Sequence, residues 1–168
     1  MNLKPNSRTG EIWIDANTVK APTIKGATWV AHGMTGAMEF SDNTDDTIIA
    51  RRNVPFVMNR SIVPILTICW SAAGISPGNC EWQLEIDWLK PNDDTTRVTE
   101  RILTKVAAAS ATSNGMIMTD FSEIGKPDED DCCFHIRLKR LAAGALDTIA
   151  DTVELLGIRL TFAKKEGM

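Results

Sequence analysis

The sequence predicts an all-β chain folded as an antiparallel two-sheet β-sandwich. Three observations carry that reading. Residues 80–88, "CEWQLEIDW", alternate strictly: Trp82, Leu84, Ile86 and Trp88 point one way, and Glu81, Gln83, Glu85 and Asp87 the other. That period of two marks a strand with one dry and one wet face. Residues 132–140, "CCFHIRLKR", alternate again, with Cys132, Phe134, Ile136 and Leu138 inward and His135, Arg137 and Lys139 outward. About eight such short segments are separated by turn chemistry, with room for at most one helix.

Residues 1–26 read as an extended N-terminal arm, punctuated by Pro5, Gly10, Pro22 and Gly26 and holding one short strand around Ile12-Trp13-Ile14. The sandwich domain is expected over 27–168. Residues 27–34 and 37–40 are short strands around Gly33 and Gly36, 41–46 ("SDNTDD") an acidic turn, and 47–59 strand pieces broken at Pro55. In 61–70, "SIVPILTICW", Ile62, Leu66, Ile68 and Trp70 share one face and Val63, Ile65 and Cys69 the other. A strand apolar on both faces is covered on both. Pro64 cannot donate to a ladder and belongs at an edge or bulge.

The loop "SAAGISPGN" follows, with Ser-Pro-Gly as its turn signal. "PNDD" (91–94) is another turn. Residues 96–111 fit a helical stripe (Val98, Ile102, Leu103, Val106) and a strand equally well. Residues 115–124 form a strand and 125–131 an acidic loop. The last strand, 152–163, places Leu156, Ile158, Leu160 and Phe162 on one face.

The 168 residues suit one domain with a sizeable core. A net charge of −4 and the lack of a basic patch argue against a nucleic-acid partner. No apolar run reaches the roughly 18 residues that span a bilayer, so no membrane partner is expected. The opening "MNLKPNSRTG" has no apolar stretch of the secretory kind. Cys69, Cys80, Cys132 and Cys133 lack zinc-ligand spacing and read as reduced, mostly buried thiols. Cys69 and Cys80 flank what reads as a hairpin. A bridge between them is open but not required.

No catalytic arrangement stands out. His32 and His135 belong to no nucleophile–base motif, so the chain reads as a non-enzyme that needs no cofactor. The acidic loops are dense enough for calcium, which takes six or more oxygens, but read as solvated turns. Trp70, Trp82 and Trp88 share rows with aliphatics and belong to the core, while Trp29 is undecided. Trp13 sits in a polar arm and must bury itself on its own domain or on a neighbour. Ile12, Trp13 and Ile14 are therefore interface candidates. Val63 and Ile65, on the second face of their strand, are candidates for contact with another subunit.

"LTICWSAAGISPGNCEWQLEI" and "HIRLKRLAAGALDTIADTVELLGIRLTF" together resemble a jelly-roll domain common in tailed-phage virion proteins, over residues 54–163. The resemblance implies eight antiparallel strands, with Cys69–Trp88 as the central hairpin and residues 96–106 as strand. It implies a homotrimer on the virion, made in the host bacterial cytoplasm, with the phage major capsid protein or another virion protein as partner. The role it implies first is capsid decoration and stabilisation. The alternative is a carbohydrate- or receptor-binding module of a phage tail or head fibre, and the third reading a hydrolase accessory domain.

Overall fold

The computed structural model describes residues 8–33, 35–75, 77–93 and 101–166. Ten strands lie among them: β1 (Thr9–Asp15), β2 (Thr28–His32), β3 (Thr35–Phe40), β4 (Thr47–Asn53) and β5 (Ile65–Ala72), then β6 (Asn79–Leu89), β7 (Arg101–Ala108), β8 (Ile117–Phe121), β9 (Cys133–Arg140) and β10 (Val153–Ala163). One 3-10 turn, Ala16–Thr18, follows β1. The larger sheet runs β2-β3-β10-β5-β8, with β1 also paired to β10, and the smaller runs β4-β9-β6-β7. From β3 to β10 every connection crosses between sheets except β6–β7. That is jelly-roll topology, an antiparallel two-sheet β-sandwich.

The alternating faces close on one another. Trp82, Leu84 and Ile86 of β6 meet Leu66, Ile68 and Trp70 of β5 and Ile158 and Leu160 of β10 in one core. Trp82 packs edge-on against Phe40 at 5.2 Å and Trp70 at 5.7 Å between ring centres. Burying such a ring stabilises the fold by about 2–3 kcal/mol. β5 turns Leu66, Ile68 and Trp70 into the core, while its other face is mixed, with Ile65, Thr67, Cys69 and Ser71, and Val63 lies before the strand. Pro64 stands just before its first residue, where no ladder donor is needed.

Several expectations are corrected. Cys69–Trp88 is not a hairpin: β5 and β6 lie in different sheets, and the loop between them arches over the end of the sandwich. Cys69 faces away from the core, opposite Gly157 and Met118, while Cys80 faces into it. No bridge joins them, and all four cysteines are free. β9 starts at Cys133, which is buried, and Cys132 is exposed. In β10 a bulge between Leu155 and Gly157 shifts the register, so Leu155, not Leu156, enters the core.

Residues 101–108 are strand, with Leu103 on the core side and Ile102 and Val106 exposed. Residues 96–100, Asp94 of the preceding turn and Lys4 of the arm lie outside the described residues. Residues 8–26 lie against the sandwich. β1 pairs with β10 from Thr9↔Ala163 to Asp15↔Gly157, and Lys20 and Gly26 bridge to Ile49 and Thr47 of β4.

Candidate functional site

The outer faces of the two sheets differ in kind. On the smaller sheet, charges are paired along the surface: Arg137 with Glu85 at 2.8 Å and Lys139 with Asp45 at 3.4 Å. On the larger sheet an aromatic stands in the open. Trp13 lies opposite Arg159 on β10, while its neighbours Ile12 and Ile14 lie opposite Leu160 and Ile158 and face the core. The alternation of β1 therefore turns Trp13 outward, 50% exposed, while Ile14 is fully buried.

Gly157 gives the indole its seat. A Cβ built on Gly157 would fall 2.4 Å from Trp13 Cζ2 and 2.8 Å from Cε2. The ring thus lies against bare backbone and turns its other face to solvent. Across the same row run Trp13, Arg159, Thr67 and Asp120, on β1, β10, β5 and β8. Thr67 Oγ1 donates to Asp120 Oδ1 at 2.6 Å. Arg159 Nη1 lies 3.9 Å from Glu11 Oε1. Its Nε is buried and has no hydrogen-bond partner among the described residues, and the same holds for Ser71 Oγ on β5. Ser71 lies opposite Glu154, whose carboxylate pairs with His32 Nδ1. The face thus joins one open apolar platform to hydroxyl, carboxylate and guanidinium groups.

The other sequence candidates are placed as follows. Ile12 and Val63 are half-buried and pack on the chain's own core. Ile65 is half-buried on the outer face, opposite Thr161. Trp29 is 57% exposed at the sheet edge, with Nε1 donating to Asn17 Oδ1 at 2.8 Å. The acidic loops spend carboxylate oxygens on their own turns: Asp46 accepts from Ser41 N and Thr44 Oγ1, and Asp131 from Asp128 N. Among the described residues no three His, Cys, Asp or Glu side chains converge as metal ligands would. His135 is half-buried, and burial first, then the charge of Arg51, pushes its pKa down.

A cleft of about 520 Å³ near the β6–β7 end is lined by Trp88, Lys90, Arg101 and Asp128 among others. Lys90 pairs with Asp128 at 3.4 Å and Trp88 Nε1 donates to Ile124 O, which fits a structural corner. Sequence reasoning missed Gly157, Arg159, Thr67, Asp120 and the His32–Glu154 pair. The strand alternation of 152–163 carried a signal for Arg159, but only the register sets it beside Trp13.

No protein-family model and no curated protein matches the chain. Solved structures do. An exo-β-1,3-galactanase from Phanerochaete chrysosporium, solved with galactose, matches over 90% of this chain at 9% identity and a TM-score of 0.58. This chain spans only 29% of that one. The CBM36-1 domain of a multidomain xylanase from the hindgut metagenome of Trinervitermes trinervoides matches over 90% of this chain and 96% of its own, at 7% identity and a TM-score of 0.51. A xylan-binding module, CBM15, matches over 94% and 99% at 10% identity and a TM-score of 0.50. At these identities the likeness is one of fold. The chain shares its jelly-roll sandwich with carbohydrate-binding modules.

Proposed function

We propose that this chain is a non-catalytic carbohydrate-binding domain, with its glycan on the outer face of the larger sheet. The carrying observation is the Trp13 indole, seated on Gly157 with one face open to solvent. A sugar ring presents an apolar C–H face and a polar rim of hydroxyls. The indole takes the first, as aromatic platforms do, and Arg159, directly across from it on β10, stands beside it for the second. The fold shared with carbohydrate-binding modules supports this reading.

In the virion setting that the sequence resemblance implies, the domain would be a receptor-binding module of a tail or head fibre. No feature of the described residues favours capsid decoration. The homotrimer and the capsid-protein partner rest on the resemblance, and light scattering together with binding to purified capsids tests them.

The test of the glycan reading is affinity electrophoresis and calorimetry with galactan, xylan and mixed β-glucans. The expected result is saturable binding to one of them, lost on Trp13→Ala with an unchanged circular-dichroism spectrum. Retention by none of these polymers would sink the reading. Undiminished binding by the variant would move the site elsewhere.

A further inference from the structure

We infer that this face selects an uncharged glycan and repels uronic-acid polymers, an inference that rests on the glycan reading above. Trp13 stands between two carboxylates of its own strand. Glu11 and Asp15 lie two residues before and after it on the same outer face, opposite Thr161 and Gly157. Residues so spaced along a strand are about 7 Å apart. A sugar seated on the indole is thus flanked by negative charge along the strand direction.

Further along the face, Glu39 of β3 lies opposite Glu154 of β10, and Asp120 ends the Trp13 row on β8. Each cationic neighbour lies beside a carboxylate. Arg159 is 3.9 Å from Glu11, and His32 is paired with Glu154. Next to the indole itself stand two carboxylates, Glu11 and Asp15, and one cation, Arg159, and the whole chain carries a net charge of −4. Hydroxyls of a neutral sugar can donate to these carboxylates. A uronate carboxylate at the same place meets like charge within a Debye length, about 10 Å at 0.1 M salt.

The two carboxylates that flank the indole, Glu11 and Asp15, are the filter against anions.

The experiment measures binding of the full chain to neutral xylan and galactan against glucuronoxylan, polygalacturonate and alginate, at 20 mM and 500 mM salt. The expected result is binding to a neutral polymer at least about tenfold tighter than to the uronate polymers at low salt, with the gap narrowing at high salt as the charges are screened. The double variant Glu11→Gln/Asp15→Asn should narrow the same gap at low salt. Asp15 Oδ1 accepts from Asn17 N at 2.8 Å at the head of the 3-10 turn, a bond an Asn side-chain oxygen can also accept, so the fold is kept. Equal affinity for neutral and uronate polymers at both salt concentrations overturns the charge filter and leaves the glycan reading standing. Binding to no polymer at all overturns both.

Discussion

Arg140 and Asp147 form a two-bond fork in the interior: Nη2 lies 2.8 Å from Oδ1 and Nε 2.9 Å from Oδ2. The two side chains are 0% and 2% exposed. The three remaining guanidinium hydrogens go to the carbonyls of Ser41, Asp151 and Ile149. All five donors are thereby used, so the charge is buried without a loose end. The side chain ties the end of β9 to the turn after β3 and to the connection leading into β10. Asp147→Ala leaves a buried guanidinium without its counter-charge and is expected to cost about 3–5 kcal/mol. Chemical denaturation checks it. A loss below about 1 kcal/mol, the worth of an exposed pair, would mean the pin carries little.

Neighbouring residues of β1 separate fold from function. Ile14 is fully buried and Trp13 half-exposed. Ile14→Ala is expected to cost about 2–5 kcal/mol, the usual price of an emptied aliphatic site. Trp13→Ala should lower stability far less and remove glycan binding. Thermal melts and affinity gels on the two variants decide it. A larger stability loss for Trp13→Ala would make Trp13 a packing residue.

Gly157→Ala tests the seat itself. Gly157 is not among the residues held at positive φ, so the backbone accepts alanine. The new methyl would lie 2.4 Å from the indole and 3.1 Å from Ile14 O. The indole should swing off the face, changing tryptophan fluorescence and weakening glycan binding at least tenfold, while the fold persists. Unaltered fluorescence and affinity would show that the ring does not depend on this glycine.

His135 supplies the pH dependence. Its Nε2 is buried and has no hydrogen-bond partner among the described residues. Burial first, then Arg51, holds its pKa below the ordinary 6.5, against the smaller pull of Asp87. The unfolded chain therefore takes up this proton before the native one does. The stabilisation from the neutral ring is whole above about pH 6.5 and fades as the pH falls through that value towards the native pKa. Between pH 7.5 and 5 the wild type should lose more melting temperature than His135→Gln. Equal losses would remove His135 as the cause.

The fold was legible where the dry face of a strand is continuous. β6 and β9 show it along their whole length, apart from the first residue of the 132–140 stretch, whereas the two-faced pattern of 61–70 did not tell which face the core takes: Leu66, Ile68, Trp70 and, before the strand, Val63 meet it, and Ile65 does not. Legibility failed where partners come from far away in sequence. Arg140 looks like half of a surface basic pair with Lys139, yet the alternation of β9 turns it inward and Asp147 receives it there. Leu155 replaced Leu156 because a bulge, which leaves no mark in the alternation, reset the count.

By itself the sequence determined that the chain is all-β, a two-sheet sandwich, and that Trp70, Trp82 and Trp88 are core. Those follow from side-chain period and apolar area, which are local. The tertiary structure decided that β5 and β6 cross between sheets instead of forming a hairpin, and that β1 lies on β10 of its own chain. It also decided that Trp13 rests on Gly157, a residue 144 positions away, beside Arg159. A site assembled from four strands depends on strand order and register. Those are set by how the whole core closes, and no local pattern encodes them.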